Sequence, residues 1–337
     1  MKKLCLILVT MMFSLGLFAQ NEEPNVLRYH LKNGTTYDVT ISQLDRLQKV
    51  GSMGWNNIFN NGLPNKTILF SDVDHIEFIY DSSIGGDNNV NRNKNSAHQL
   101  EYPHLRDSST QLLVIHSTTE YGITYSLEWD CSKKTQRWTC YEFHNGIPNN
   151  NVGRVGSWQD DPLIPEAYRT HSSQWSGTPY SRGHMCMSSD RQASTDQNKQ
   201  TFYISNAHPQ YQKHNGGLWN TLETKVQNWG NSSDFRDTLY VVKAGTIEDG
   251  QVLTPTSTGL VVPKYFYMAV LCLKNNKYKA LAFWTEHTNV SITKANWKDY
   301  AITVRELEEK TGIDFFCNLP DDIEEDVEMQ LDTSLWP

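Results

Sequence analysis

Apolar and polar positions alternate through the region that follows the amino terminus of the chain. The stretch VLRYHLKNGTTYDVTI alternates on both sides of Asn33-Gly34, the dipeptide most typical of a two-residue hairpin turn. A second stretch, KTILFSDVDHIEFIY, is also strand-like, and residues 81–99 after it are rich in Asn, Ser and Gly. The pattern predicts a small β-rich module over residues 21–80 and a linker over 81–100. The module holds no cluster of residues with catalytic chemistry, so we interpret it as serving attachment or folding.

Longer apolar runs and two helical patterns occupy residues 101–337. The stretches LLVIHSTTEYGITYSLEWDC and QRWTCYEFHN are strand-like and are joined by the polar turn SKKT. TLYVVKAG and KYFYMAVLCLKNNKYKALAFW predict three more strands, with a hairpin at Asn275-Asn276, and FYISNAH predicts a short strand that ends in polar residues. GLWNTLETKVQNW has helical spacing, WKDYAITVRELEEKTGI predicts a helix that ends before Gly312, and we interpret DDIEEDVEMQLD as an acidic tail. These elements predict one domain of helices and strands.

The amino terminus combines two lysines, an apolar run from Leu4 to Phe18 and the small residue Ala19. The run is shorter than the about 20 residues of a membrane-spanning helix. It predicts a secretory signal peptide over residues 1–20, with an uncleaved anchor as the alternative. We therefore expect an exported protein that is periplasmic, cell-surface or secreted, with no membrane span in the mature chain.

Composition and charge narrow the function classes. The chain has 337 residues, of which 38% are hydrophobic, so it can bury a core and is not globally disordered. The formal net charge of -8 argues against a generally basic nucleic-acid coat. Residues 131–236, however, hold eleven Lys and Arg against eight Asp and Glu, so a locally basic groove is compatible with the sequence.

Five cysteines follow the predicted signal peptide, and five is an odd number. In an exported protein, one or two disulfides plus a free thiol is the simple expectation. Cys131 and Cys140, on the two sides of one hairpin, are the first candidates for a pair. No C-x-x-C spacing is present, so we do not expect zinc bound by sulfur. The five residues are Cys131, Cys140, Cys186, Cys272 and Cys317.

Two polar segments carry the candidate chemistry: SRGH at 181–184 and SNAHPQYQKHNGGLWNTLE at 205–223. If the helix extends back to Asn215, Asn215 and Glu223 lie two turns apart on one side and can approach one ion. Oxygen donors with few carboxylates suit Mg²⁺, which keeps most of its waters. A neutral His184 suits a general base, and Gly183 beside it leaves a clear approach for substrate. Together these features predict metal-assisted hydrolysis of a phosphodiester.

The combined pattern resembles the DNA/RNA non-specific endonucleases, which are sugar-nonspecific nucleases of the ββα-metal (His-Me finger) type. The family hallmark Asp-Arg-Gly-His corresponds to Ser181-Arg182-Gly183-His184, and the later motifs Ser-Asn, Pro-Gln, Asn, Gly, Trp and Leu-Glu follow in the family order. Further matches such as RWTCYEF and GRVGSWQDDPLIP extend the resemblance over about residues 103–330. The resemblance implies an α+β fold: a ββα-metal nuclease domain over 101–337, with a central antiparallel sheet flanked by helices, preceded by the small β-rich module.

The resemblance also implies an activity and roles for particular residues. The expected activity is metal-dependent endonucleolytic hydrolysis of DNA and RNA with little sequence specificity, through contacts to the phosphate backbone. The expected cofactor is Mg²⁺, with Mn²⁺ as an alternative. His184 resembles the general base, Asn215 resembles the sole direct protein ligand of the metal, and Glu223 resembles the carboxylate that holds the metal's waters. Arg182 and Arg154 resemble the arginines that bind phosphate and stabilise the transition state.

Ser181 is the one clear departure, because the family has aspartate at this position. We interpret Ser181, with Gly183 and Asn206, as support for the region of His184. The departure leaves open a catalytically silent surface or binding protein built on the nuclease fold. Hydrolysis of a different phosphodiester is a further alternative, and the sequence fixes neither DNA against RNA preference nor the oligomeric state.

Overall fold

A computed structural model of the chain describes residues 26–41, 44–50, 53–59, 66–79, 91, 99–253, 255–292 and 295–337. The predicted signal peptide and most of the predicted linker lie outside these residues. Contacts divide the chain into two compact units, Met1–Asn88 and Asn89–Pro337. Within the described ranges, no helix is both long enough and apolar enough to cross a membrane.

The amino-terminal unit contains two small antiparallel sheets. The hairpin predicted at Asn33-Gly34 is confirmed, because Val26 pairs with Thr40 and Gly34 adopts a φ of +82° that favours glycine. One sheet has the strand order β2-β1-β6 and the other β3-β4-β5. The strands are β1 (Val26–Leu31), β2 (Thr36–Thr40), β3 (Leu44–Val50), β4 (Gly54–Phe59), β5 (Lys66–Leu69) and β6 (Val73–Ile79).

A seven-stranded antiparallel sheet is the frame of the second unit. Its order is β15-β14-β13-β12-β9-β8-β7, and β10 and β11 form a separate two-stranded hairpin. The hairpins predicted at SKKT and at Asn275-Asn276 are confirmed. The strands are β7 (Gln111–Thr118), β8 (Gly122–Asp130), β9 (Thr135–His144), β10 (Tyr180–His184), β11 (Ala207–Tyr211), β12 (Thr238–Gly245), β13 (Tyr265–Lys274), β14 (Lys277–Glu286) and β15 (Ala301–Ile302).

Helices cover both faces of this sheet, which explains why its central strands are apolar on both sides. The helices are α1 (Thr195–Gln200), α2 (Asn220–Asn231), α3 (Val304–Thr311) and α4 (Asp321–Met329). Leu222 and Val226 of α2 pack in one core layer with Val241, whereas Leu307 of α3 packs in the other layer with Val242. The expected central antiparallel sheet flanked by helices is therefore confirmed.

Two predicted elements are wrong. FYISNAH is not a strand: Ile204–Asn206 form a 3₁₀ turn, and β11 begins only at Ala207, because the Asn206 side chain binds nearby backbone groups instead of leaving them to a ladder. DDIEEDVEMQLD is not a simple acidic tail. It forms α4 after Pro320, with acidic residues in the first turn and Val327 buried against the sheet.

The predicted Cys131–Cys140 disulfide is also wrong. All five cysteines that the structure describes are free and buried. Cys131 packs in the same core layer as α2, whereas Cys140 packs in the layer under α3 and α4. Since the two side chains lie on opposite faces of the sheet, they do not meet the geometry that a disulfide requires.

Candidate active site

The segment SRGH, which shows no strand period in the sequence, forms strand β10. It pairs antiparallel with β11, so that Gly183 is opposite His208 and His184 is opposite Ala207. Because successive side chains of a strand point to opposite faces, Arg182 and His184 share one face of the hairpin, and Ser181 and Gly183 share the other.

His184 lies between two aromatic rings with one ring nitrogen unused. Its ring centroid is 4.4 Å from that of Trp158 and 5.0 Å from that of Phe202. Nε2 is fully buried and has no hydrogen-bond partner among the described residues. Burial, and to a smaller extent the positive charges of Arg154 and Lys243, lower the pKa of His184 to about 3. The imidazole is therefore neutral near pH 7, with a nitrogen that is free to take part in proton transfer.

The two predicted arginines occupy different surroundings. Arg154 is exposed, and its guanidinium lies 4.7 Å from the ring centroid of Phe202, the residue that also contacts His184. Arg182 is half-buried, and its Nη2 donates hydrogen bonds to the backbone oxygen (2.9 Å) and Oγ (3.1 Å) of Ser172. Arg154 therefore lies close to His184, whereas hydrogen bonds hold Arg182 against the turn that contains Ser172.

Asn215 lies in a π-helical turn, not in the helix that carries Glu223. The turn spans His214–Trp219 and contains a break at Gly217 (φ −112°, ψ −109°), so α2 begins only at Asn220. The condition that the sequence analysis set, a helix that extends back to Asn215, is therefore not met. Single π turns of this kind are frequent at functional sites.

Ser181 fixes the orientation of the Asn215 amide. Asn215 Nδ2 donates to Ser181 Oγ at 3.1 Å, and Ser181 Oγ donates to the backbone oxygen of Gln210 at 2.8 Å. Asn215 Oδ1 accepts no hydrogen bond from any residue within the described ranges, so this amide oxygen remains available to a cation.

Glu223 forms a buried ion pair with Lys243, a residue that the sequence analysis missed. Lys243 Nζ lies 3.2 Å from Glu223 Oε1, and Lys243 is 0% exposed. Burial raises the pKa of Glu223 to about 7, although the charge of Lys243 opposes the rise. The available signal was a lysine inside the apolar run TLYVVKAG, since a buried lysine in a central strand requires a partner.

The donors near the hairpin fit a hard cation that keeps most of its waters. They are one free amide oxygen, at Asn215, and one carboxylate, at Glu223, a set that suits Mg²⁺ better than a closed cage of sulfur and nitrogen ligands. Across the described residues, the one group of three acidic, histidine or cysteine ligands is Glu308, Asp314 and Glu328. Two of these belong to α3 and α4, on the opposite face of the sheet.

Two of the predicted support residues act differently from each other. Asn206 Oδ1 accepts from the backbone N–H of Cys186, and Nδ2 donates to the carbonyls of Cys186 and Thr201, all at 2.8 Å. These bonds brace the chain just after His184. The expectation that Gly183 leaves a clear approach for substrate is wrong, because a Cβ built on it would lie 1.8 Å from Gln210 Oε1. The space beside Gly183 is filled by Gln210.

Known proteins resemble this chain over the region that contains the site. The sequence model of the DNA/RNA non-specific endonuclease family matches residues 113–322. A nuclease of Nostoc sp. is 29% identical over 62% of this chain and 76% of its own length. The mitochondrial nuclease EXOG of Danio rerio is 26% identical over 59% of this chain and 60% of its own length. The nuclease of Serratia marcescens is 24% identical over 59% and 75%.

A solved structure supports the fold. The chain matched in the crystal structure of the EndoG/EndoGI complex superposes with a TM-score of 0.53 at 20% sequence identity. The match covers 64% of this chain and 90% of that chain. At this identity the likeness concerns the fold alone.

Proposed function

The chain belongs to the DNA/RNA non-specific endonuclease family and is a hydrolase of nucleic acids, and we propose that His184 is its general base and that Asn215 holds one Mg²⁺. The observation that carries the proposal is the neutral His184 ring, which is clamped between Trp158 and Phe202 with Nε2 unengaged. A fixed imidazole with a free nitrogen is what a general base requires.

His184 accepts a proton from the attacking water. Its low pKa keeps it unprotonated before substrate binds, which favours the reactive form of the free enzyme. A bound phosphate brings negative charge towards the ring and offsets the repulsion by Arg154 and Lys243, so the pKa of His184 rises as the reaction proceeds. The base therefore becomes stronger when substrate is present.

Arg154 and Arg182 neutralise the charge of the scissile phosphate. The guanidinium fork matches phosphate oxygens, and Arg154 is exposed, so it can reach the substrate backbone. Contacts of this kind hold phosphates without reading the bases, which supports cleavage with little sequence specificity. They also make binding sensitive to salt.

Asn215 would hold the metal through Oδ1, and Glu223 would hold it through water. Bound Mg²⁺ supplies electrostatic stabilisation of the phosphate and lowers the pKa of a coordinated water. Lys243 compensates the charge of Glu223, so the chain contributes little net negative charge here and the substrate phosphate supplies the rest.

Ser181 weakens the case for a silent scaffold. The family aspartate is absent, but Ser181 still bonds both Asn215 and the hairpin partner strand. The serine therefore keeps the amide of the proposed metal ligand in place. For this reason we favour the enzyme over the binding protein.

Cleavage of plasmid DNA and total RNA, with and without EDTA, tests the metal proposal. We expect EDTA to abolish cleavage of both substrates and Asn215→Ala to reduce it to the EDTA level, because Asn215 Oδ1 is the proposed direct ligand of the metal. Asn149→Ala, at a partly exposed asparagine that bonds the backbone of Ser189, is the matched control and should retain activity. Undiminished cleavage by Asn215→Ala, or cleavage that EDTA leaves unchanged, refutes the metal role.

A further inference from the structure

We propose that Gln210 is a positioning residue that ties the strand carrying His184 to the turn carrying Asn215. The proposal rests on the function proposed above for those two residues. Gln210 is 0% exposed and lies on β11, the strand of the hairpin that leads into the π turn. Its side chain and its backbone contact both halves of the site.

The side chain of Gln210 fills the space that the glycine of β10 leaves. The position of a Cβ on Gly183 would be 1.8 Å from Gln210 Oε1 and 2.9 Å from Gln210 Cδ. No side chain larger than hydrogen is therefore compatible with this packing. The contact sets the distance between Gln210 and the backbone one residue before His184.

A chain of hydrogen bonds continues from Gln210 to the central sheet. Gln210 Nε2 lies 2.8 Å from His214 Nδ1, and His214 Nε2 lies 3.1 Å from Thr285 Oγ1. Thr285 Oγ1 in turn donates to the backbone oxygen of Phe266 at 3.2 Å. Because the threonine hydrogen is used there, Oγ1 accepts from His214 Nε2–H, and Nδ1 is left to accept from the Gln210 amide. The direction of every bond is consistent with one neutral tautomer of His214.

The backbone of Gln210 makes the second connection. Its carbonyl accepts from Ser181 Oγ at 2.8 Å, and the same Oγ accepts from Asn215 Nδ2 at 3.1 Å. One residue therefore holds His214 through its side chain and Asn215 through Ser181. These two residues are adjacent in the turn, so Gln210 fixes the turn against the hairpin at two points.

Substitution of Gln210 by leucine tests the connection in the full chain. The variant keeps most of the volume but removes the donor to His214. We expect faster hydrogen exchange in peptides that cover residues 207–217, measured by mass spectrometry. We also expect weaker Mn²⁺ binding, measured by electron paramagnetic resonance, by about 10-fold or more, as for other partners that orient a metal ligand. The KM for DNA should stay within about twofold, while kcat falls.

Gln111→Leu is the matched control. Gln111 is also a buried strand glutamine, and its Nε2 donates to the side chains of Asp130 at 2.9 Å and Thr110 at 3.5 Å. It lies on β7, the opposite edge of the sheet from β15. We expect this variant to leave exchange over 207–217 and Mn²⁺ affinity unchanged.

Thr285→Val provides a second variant in case Gln210→Leu does not fold. It removes the acceptor of the His214 Nε2–H bond with little change in volume, and we expect the same effects at smaller size. If both variants fold, their combined effect should be less than additive, since they break one network. Exchange and Mn²⁺ affinity equal to wild type in the folded variants overturn the proposal. A wild type that binds Mn²⁺ but cleaves no nucleic acid refutes the proposed function instead, and the exchange measurement still decides the role of Gln210.

Discussion

Single residues set the chemistry of this site through their surroundings more than through their type. His184 is half-buried, and it combines aromatic clamping with an unengaged Nε2 and two nearby cations. His214, by contrast, has partners for both ring nitrogens. The difference explains why only the first is proposed as a base.

The lowered pKa of His184 predicts an unusual pH profile. A general base acts unprotonated, so kcat/KM falls only when pH drops through the pKa of the free enzyme. Because that pKa is about 3, below the ordinary 6.5, we expect His184 to cause no decline of kcat/KM from pH 7 to pH 5, so that a decline in this window reports protonation of Glu223, whose pKa is about 7. The measurement is a pH series on a short oligonucleotide, with circular dichroism to verify folding at each pH. A decline centred near pH 6.5 that persists in Glu223→Gln would argue for a solvated histidine instead.

Gly183 gives a prediction about packing. In Gly183→Ala the new Cβ overlaps Gln210 Oε1 within the buried hairpin, so we expect a loss of about 1–3 kcal/mol and reduced activity. Gly153→Ala is the control, because a Cβ there meets no atom within 4 Å. Chemical denaturation of both variants measures the effect. Equal stability of the two would contradict the packing of Gln210 against Gly183.

At the scale of elements, the site joins a hairpin, a π turn and the start of a helix. The hairpin presents His184, the turn presents Asn215, and the first turn of α2 presents Glu223 to the central strand β12. Each element is short, and the buried contacts between them set their relative positions. The ion pair between α2 and β12 is one of these contacts.

The Glu223–Lys243 pair predicts a large loss of stability when one partner is removed. Lys243→Met leaves a buried carboxylate without its cation, so we expect a cost of about 3–5 kcal/mol. Adding Glu223→Gln to this variant should recover much of the loss, because the uncompensated charge disappears. The measurement is the free energy of unfolding in urea.

Lys133→Met serves as the control for that experiment. Lys133 Nζ lies 3.2 Å from Glu248 Oε2, the same separation, but the two side chains are 26% and 33% exposed. A solvated pair of this kind contributes about 0–1 kcal/mol. Similar losses in Lys133→Met and Lys243→Met would contradict a buried, energetically coupled pair at β12.

The sequence predicted elements well where one pattern controls them. The alternation around Asn33-Gly34 and the Asn275-Asn276 turn were both confirmed, because hairpin geometry is a local property. The turn before α2 was not predicted. The helical spacing of apolar residues gives no sign of a break at Gly217, although the backbone of Gly217 is not helical. SRGH showed no strand pattern, because the short β10 is partly covered along most of its length.

The candidate site was predicted in part, through the family resemblance. The resemblance pointed to His184 and Asn215, but it said nothing about the residues that set their environment. Lys243 lies 20 residues from Glu223, and Phe202 is far along the chain from Arg154. Such contacts depend on tertiary packing, which no local pattern contains.

At the scale of the whole molecule, the central sheet separates the candidate site from a layer that serves packing alone. Both faces of the sheet carry a core layer. The layer on the α2 side adjoins the candidate site, whereas the layer under α3 and α4, where Leu307 and Val327 pack, does not. The acidic residues of α4 lie on that second side. This division reconciles a net charge of -8 with a candidate site in which arginines are the proposed phosphate ligands.

The catalytic role of His184 is tested most directly by the initial rate of plasmid cleavage, at saturating Mg²⁺, for wild type, His184→Ala and His144→Ala. His144 is a partly exposed strand histidine and serves as the control. We expect His184→Ala to lose about 10²–10⁴-fold in rate with its fold intact, and His144→Ala to match wild type. A His184→Ala enzyme that cleaves at the wild-type rate would contradict the assignment of His184 as the general base.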